Sequence, residues 1–202
     1  MTLVKICGIC DAPSAAAAVE AGADLLGFHF CASPRRVSAA EARAIVDSLP
    51  TRRPEIVGVF IDQTPGEVAE VAAAVGLDRV QLHGSEPPGF AAPVPAMKVL
   101  KVRDGVIPDA DGWPDPLLLD SWSADQRGGT GRAWDWELAQ PLLAARRVFI
   151  AGGLNPENVR EVVERYRPYG VDVSSGVESR PRVKDPALVR AFVAAVREVD
   201  GR

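Results

Sequence analysis

Residues 147–174 read RVFIAGGLNPENVREVVERYRPYGVDVS, and one repeating unit of structure is visible within them. RVFIAG (147–152) is a short apolar run of strand type, NPENVREVVERY (155–166) is helix-like, and GVDVS (170–174) is a second short apolar run. Asn155 followed by Pro156 and Glu157 is helix-start chemistry: a side-chain acceptor for free N–H groups, then a residue with its φ already set. Strand, helix, strand in succession describes a βαβ unit, whose two strands lie parallel.

The same unit recurs upstream. LVKIC (3–7), DLLGFHF (24–30), EIVGVF (55–60), DRVQLH (78–83), MKVLKV (97–102) and PLLLD (116–120) precede the two strands above, which makes eight. Helix-like segments separate most of them: APSAAAAVEAGA (12–23), SAAEARAIVDSLP (38–50) and TPGEVAEVAAAVG (64–76), with DPALVRAFVAAVREV (185–199) after the last. Eight strands alternating with helices predict an α/β fold with a parallel sheet, and eight is the number that closes into a (β/α)8 TIM barrel. The expectation is a single barrel domain over residues 1–202, near the lower size limit of that fold and therefore with short loops. RDGVIPDADGWPD (103–115), with two prolines and several aspartates, predicts that helix five is short or absent.

Composition excludes several classes of function. A chain 47% hydrophobic and 25% charged is ordinary for a globular domain, and no apolar run reaches the roughly 18 residues of a membrane helix. A net charge of −4 with dispersed arginines argues against nucleic acid as partner, because a phosphate backbone calls for a basic stripe. Three cysteines and no charged-then-apolar leader argue against disulfides and secretion, so the expected location is cytoplasmic. Oligomeric state is not written in the sequence.

Cys7 and Cys10, in KICGIC (5–10), raise a separate question: half a zinc site, a redox pair, or one working cysteine beside an incidental one. His29, Cys31 and His83 are the remaining candidate ligands, and they lack the second paired spacing that structural zinc sites use. A thioredoxin-like pair belongs to one small βαβ domain, which eight strands are not. The expectation is no metal.

Polar residues inside buried parallel strands are informative. In DRVQLHG (78–84), Val80 and Leu82 alternate with Arg79, Gln81 and His83, so the polar set faces the barrel interior and His83 reaches the C-terminal mouth, where barrel enzymes keep their chemistry. Cys7 ends the first strand, Asp120 ends the sixth after three leucines, and Asp172 lies within the eighth between two valines. Glycine clusters follow strands six to eight: Gly129 and Gly131 in RGGTGRAWDW, Gly152 and Gly153 in AGGLNP, and Ser175 and Gly176 in VSSGVES. Loops of this kind let backbone N–H groups approach an anion, and three on one rim predict a phosphate cradle.

KICGI, GADLLGFHF, SPRRVS, VGVF, VQLHG, LLLDS, GGTGRAWDW, AGGLNPENV and DVSSGVES, in that order from residue 3 to about 190, together closely resemble the phosphoribosylanthranilate isomerase family of tryptophan biosynthesis. The chain departs from the family pattern at Cys10, where a threonine is common, in the FCASPRRVS loop, and in SRPRVKDP, which lacks a glycine before Lys184-Asp185. The resemblance implies an Amadori rearrangement of N-(5-phosphoribosyl)anthranilate, a small phosphorylated substrate, by one acid and one base without cofactor. It implies Asp120 as general acid, Cys7 as general base, and Arg36 as the partner of the anthranilate carboxylate. His83 and Asp172 are expected at the substrate, Arg35 at the solvated surface, His29 in packing or loop support, and Lys5 in a pair with Asp172. A histidine-pathway aminoaldose isomerase, for which an aspartate is expected at the position of Cys7, and a non-catalytic sugar-phosphate-binding barrel are the competing functions.

Overall fold

The computed structural model describes residues 1–121 and 134–201. Eight parallel strands, β1 (Leu3–Cys7), β2 (Leu25–His29), β3 (Glu55–Phe60), β4 (Arg79–Leu82), β5 (Ala96–Val102), β6 (Leu117–Ser121), β7 (Val148–Ile150) and β8 (Gly170–Val173), form a closed barrel in chain order. The barrel closes where β8 pairs with β1, from Leu3 opposite Gly170 to Ile6 opposite Val173. The expected α/β (β/α)8 architecture is the one observed.

Helices α1 (Ala12–Ala21), α2 (Ala39–Asp47), α3 (Pro65–Val75), α4 (Gln140–Ala145), α5 (Val159–Tyr166) and α6 (Pro186–Val199) surround the barrel. Ser38 with Glu41 and Thr64 with Glu67 form reciprocal capping boxes that fix the starts of α2 and α3. The start of α5 lies later than the sequence suggests. Asn155 Oδ1 accepts the N–H groups of Glu157 and Asn158, so NPEN folds as a turn and the helix begins at Val159. In α6, Val189, Phe192, Val193 and Val196 recur at helical spacing and are buried. Each such side chain, removed from water, contributes ~1.5–3 kcal/mol.

Two connections carry no helix among the described residues: 83–95 after β4, and 103–116 after β5, where the sequence predicts a short or absent one. Their place is taken by a polar clamp. Lys98 Nζ donates to Glu86 Oε2 at 2.7 Å and to the Gly84 carbonyl at 2.6 Å, and it lies 5.1 Å from the centre of the Trp113 ring. Beyond β8, β9 (Glu178–Arg180) and β10 (Val183–Lys184) form a small antiparallel ribbon over the barrel mouth near Ser174 and Arg35.

Side-chain alternation separates two apolar layers. Leu25, Val57, Met97, Val99, Leu118, Phe149 and Ala151 fill the barrel interior. Val4, Ile6, Leu26, Phe28, Val80 and Leu82 face outward into the layer shared with the helices. No helix of the described residues is long and apolar enough to cross a membrane.

Candidate active site

The interior register carries Lys5 and Cys7 up β1. Gly27 of β2 stands opposite Cys7, and a Cβ there would lie 2.7 Å from Cys7 Sγ and 3.1 Å from Lys5 Nζ, so the glycine makes room for both. Lys5 is fully buried and donates to Asp172 Oδ1 at 2.8 Å, as the sequence suggests. Burial by itself favours the neutral amine, but Asp172 and Cys7 outweigh it and hold Lys5 above the ordinary lysine range. Burial pushes the Cys7 thiol up, and Lys5 and Lys184 oppose that rise while Asp172 adds to it.

Asp120 lies one residue before the end of β6, beyond Leu117–Leu119, with a side chain about one-quarter exposed. Its Oδ1 accepts the Ser121 N–H at 2.8 Å. Burial first, and then the neighbouring Asp172, push its carboxyl up to about 6, against the pull of that N–H, Lys101 and Lys5. The neighbouring carboxylate that adds to the rise is Asp172, the partner of Lys5. His83 Nε2 lies 3.8 Å from Asp120 Oδ2, within ion-pair distance. The ring is nevertheless neutral, because burial, then Lys101, Lys5 and Lys98, push it down to about 3. The contact therefore joins a neutral imidazole to a carboxyl. Gln81 Nε2 lies 3.2 Å from His83 Nδ1 at the base of this pair.

Between β6, β7 and β8 opens a cleft of about 420 Å³, counting the solvent-open space at its mouth, lined among others by Asp120, Gly152, Gly153, Asp172, Ser175 and Gly176. Gly152 has φ +84°, and a Cβ on it would lie 2.8 Å from the Ser121 nitrogen and 2.9 Å from Asp120 Oδ1. A side chain at Gly176 would run into the Leu154 carbonyl. Four of the six expected loop residues thus share one wall with Asp120; Gly129 and Gly131 lie outside the described residues.

The two arginines of SPRRVS divide differently from the expectation. Arg35 is buried rather than solvated: its Nε and Nη2 each donate to Glu178 at 2.7 Å, and Lys184 Nζ joins the same carboxylate at 3.0 Å. A guanidinium fork on a carboxylate can be buried because both charges are matched. Glu178 lies 143 residues away, which hides the pairing from any local reading. Arg36 is exposed at the rim beside His29.

His29 is more than loop support. It lies on the interior parity of β2 with Leu25 and Gly27, and its Nε2 is 3.3 Å from Cys7 Sγ. That parity was readable in DLLGFHF. Cys10, in contrast, turns away from the mouth and donates to the Gly8 and Arg35 carbonyls at 3.5 and 3.4 Å, and all three cysteines are free.

A closed parallel barrel that holds a thiol and a carboxyl of raised pKa at its C-terminal rim has the arrangement of a (β/α)8 enzyme. The family model for N-(5'-phosphoribosyl)anthranilate (PRA) isomerase matches residues 4–195, and the chain belongs to that family, an isomerase family of tryptophan biosynthesis. It is 47% identical to the N-(5'-phosphoribosyl)anthranilate isomerase of Desulforudis audaxviator, covering 98% of this chain and 99% of that one. The phosphoribosyl anthranilate isomerase structure from Thermus thermophilus superposes with a TM-score of 0.89 at 40% identity, covering 98% and 100%. A structure of the same enzyme type in complex with reduced 1-(o-carboxyphenylamino)-1-deoxyribulose 5-phosphate gives 0.83 at 36% identity, with the same coverage.

Proposed function

We propose that this chain converts N-(5-phosphoribosyl)anthranilate into 1-(2-carboxyphenylamino)-1-deoxyribulose 5-phosphate with Asp120 as general acid and Cys7 as general base. The observation that carries the assignment is the placement of the Asp120 carboxyl on the wall of the glycine-lined cleft, where burial and Asp172 push it up to about 6. An ordinary aspartate is ionised at neutral pH and has no proton to give. Asp120 protonates the ring oxygen as the C1–O bond breaks, and the anthranilate nitrogen lone pair forms the C1 iminium. The Cys7 thiolate then takes the C2 proton, and the C2–H electrons become the C1=C2 bond of the enolamine. Protonation at C1 and loss of the C2 hydroxyl proton complete the ketone, so no redox or group-transfer partner is needed.

The phosphate is placed at Gly152, Gly153, Ser175 and Gly176, where glycine backbone allows N–H groups to approach an anion. This gives the phosphorylated substrate an anchor beside the acid, and the reduced product analogue held by the 36%-identical relative is a molecule of that chemistry. Arg36, exposed at the rim beside His29, meets the anthranilate carboxylate. His83 and Asp172 complete the floor, the first as a neutral hydrogen-bonding ring. The chain works as one cytoplasmic barrel domain.

The reading is tested by following loss of substrate fluorescence with the purified protein, with the histidine-pathway aminoaldose run in parallel. Turnover of the anthranilate compound, inhibited competitively by inorganic phosphate, is expected. Cys7→Ala should lose most of it while Cys10→Ala stays near wild type. Preference for the histidine-pathway substrate, or equal losses in the two cysteine variants, would contradict the assignment.

A further inference from the structure

The acid–base scheme leaves unused an imidazole that touches its base. His29 Nε2 is 3.3 Å from Cys7 Sγ, and His29 Nδ1 is 2.9 Å from Ser33 Oγ. The same hydroxyl accepts the Arg35 N–H at 3.1 Å. Both contacts of the ring are within hydrogen-bond range, so the position of one proton on the ring decides what each contact does.

His29 is neutral: burial, then Lys5, His83, Arg35 and Lys184, hold its imidazolium well below the ordinary histidine range. It therefore does not store the proton of Cys7, and it has one N–H to place. Arg35 occupies one lone pair of Ser33 Oγ and leaves the hydroxyl hydrogen free to turn toward Nδ1. With Nδ1 accepting, the ring N–H is on Nε2 and points at sulfur, which accepts it well only as thiolate.

We propose that His29, oriented by Ser33, is a positioning residue that holds Cys7 in its thiolate form by donating the Nε2–H to sulfur. The proposal rests on the reading of Cys7 as the base. The charged groups around the sulfur do not make this donor redundant. Lys5 of β1 and Lys184 of β10 favour the thiolate, but burial and Asp172 of β8 oppose it, and the thiol remains above its ordinary range. Arg35 is committed to Glu178, and His83 is uncharged. Once sulfur has taken the C2 proton, the Nε2–H loses its acceptor, which favours onward transfer of that proton to C1.

The test compares wild type with His29→Val, His29→Gln and Ser33→Ala. Two readouts are followed across pH: iodoacetamide alkylation of Cys7, resolved from Cys10 and Cys31 by peptide mass spectrometry, and kcat/KM. In His29→Val the Cys7 alkylation midpoint should rise by about one pH unit and the kcat/KM plateau should fall about tenfold. His29→Gln, whose amide N–H can donate to sulfur, should recover most of both, and Ser33→Ala should shift the midpoint in the same direction by less. An unchanged midpoint in His29→Val overturns the proposal even if activity falls, because a packing role lowers activity without moving a titration. If His29→Val does not fold, an unchanged midpoint in Ser33→Ala does the same. The base assignment fails separately, by retention of turnover in Cys7→Ala.

Discussion

The two sides of the barrel mouth treat buried ionisable groups in opposite ways. On the side of β1, β8 and the β9–β10 ribbon, charges are matched: Lys5 by Asp172 at 2.8 Å, and Arg35 and Lys184 by Glu178 at 2.7 and 3.0 Å. On the β6 side Asp120 receives one backbone N–H at 2.8 Å and has a second carboxylate as neighbour. Matching keeps a buried group charged and makes it structural; leaving it unmatched lifts its pKa and makes it an acid. Asp172 takes part in both, since it secures Lys5 and raises Asp120.

Removing the unmatched group should have the largest effect. Asp120→Asn keeps the shape and loses the transferable proton, so turnover should fall by about 10² to 10⁴ with the fold intact, as read from the fluorescence assay and circular dichroism. Near-normal turnover would place the acid elsewhere.

Breaking the matched side should instead show in stability. Lys5→Met leaves Asp172 buried without its cation, and loss of one partner of such a pair costs about 3–5 kcal/mol, measurable by urea unfolding. Lys5→Met combined with Asp172→Leu removes both charges and should recover part of that loss. A single variant as stable as wild type would show that the pair is not what holds β8 to β1.

A smaller effect of opposite sign is expected from Asp120→Asn on stability. The folded-state carboxyl, at about 6, lies above its ordinary 3.8, so the folded protein binds more protons than the unfolded chain between roughly pH 4 and 6. Wild-type stability from this group is therefore lost as pH rises through that window. At pH 7 the Asn variant should be more stable, by ~2 kcal/mol once partial exposure is allowed for. Below pH 4 the difference should vanish. Lower stability of the variant at pH 7 would mean that Asp120 is a satisfied anion.

The barrel was legible in the sequence because two periods alternate along it: short apolar runs that bury both strand faces, and capped helices between them. The interior groups were legible for the same reason, since Lys5, Cys7, Gln81, His83, Asp120 and Asp172 break that apolar pattern at an interior parity. Most of what was not legible depends on chain segments far apart in sequence. Arg35 looks like half of a surface Arg-Arg pair until β9 brings Glu178 beside it. The contact of His29 with Cys7 needs Gly27 to leave the space across the β1–β2 pairing, and the late start of α5 depends on an asparagine turn competing with a helix cap. The missing helix after β4 is offset by the clamp of Lys98, Glu86 and Trp113, whose members are spread over the two helix-free loops and β5.

The contrast between matched and unmatched groups stands or falls on the ionisation of Asp120. Site-resolved titration of the side-chain carboxyl carbons by nuclear magnetic resonance, on wild type and Asp120→Asn, measures it directly. The account predicts one carboxyl titrating near pH 6 that is missing from the variant. A titration of Asp120 near 4, in the ordinary aspartate range, would contradict it.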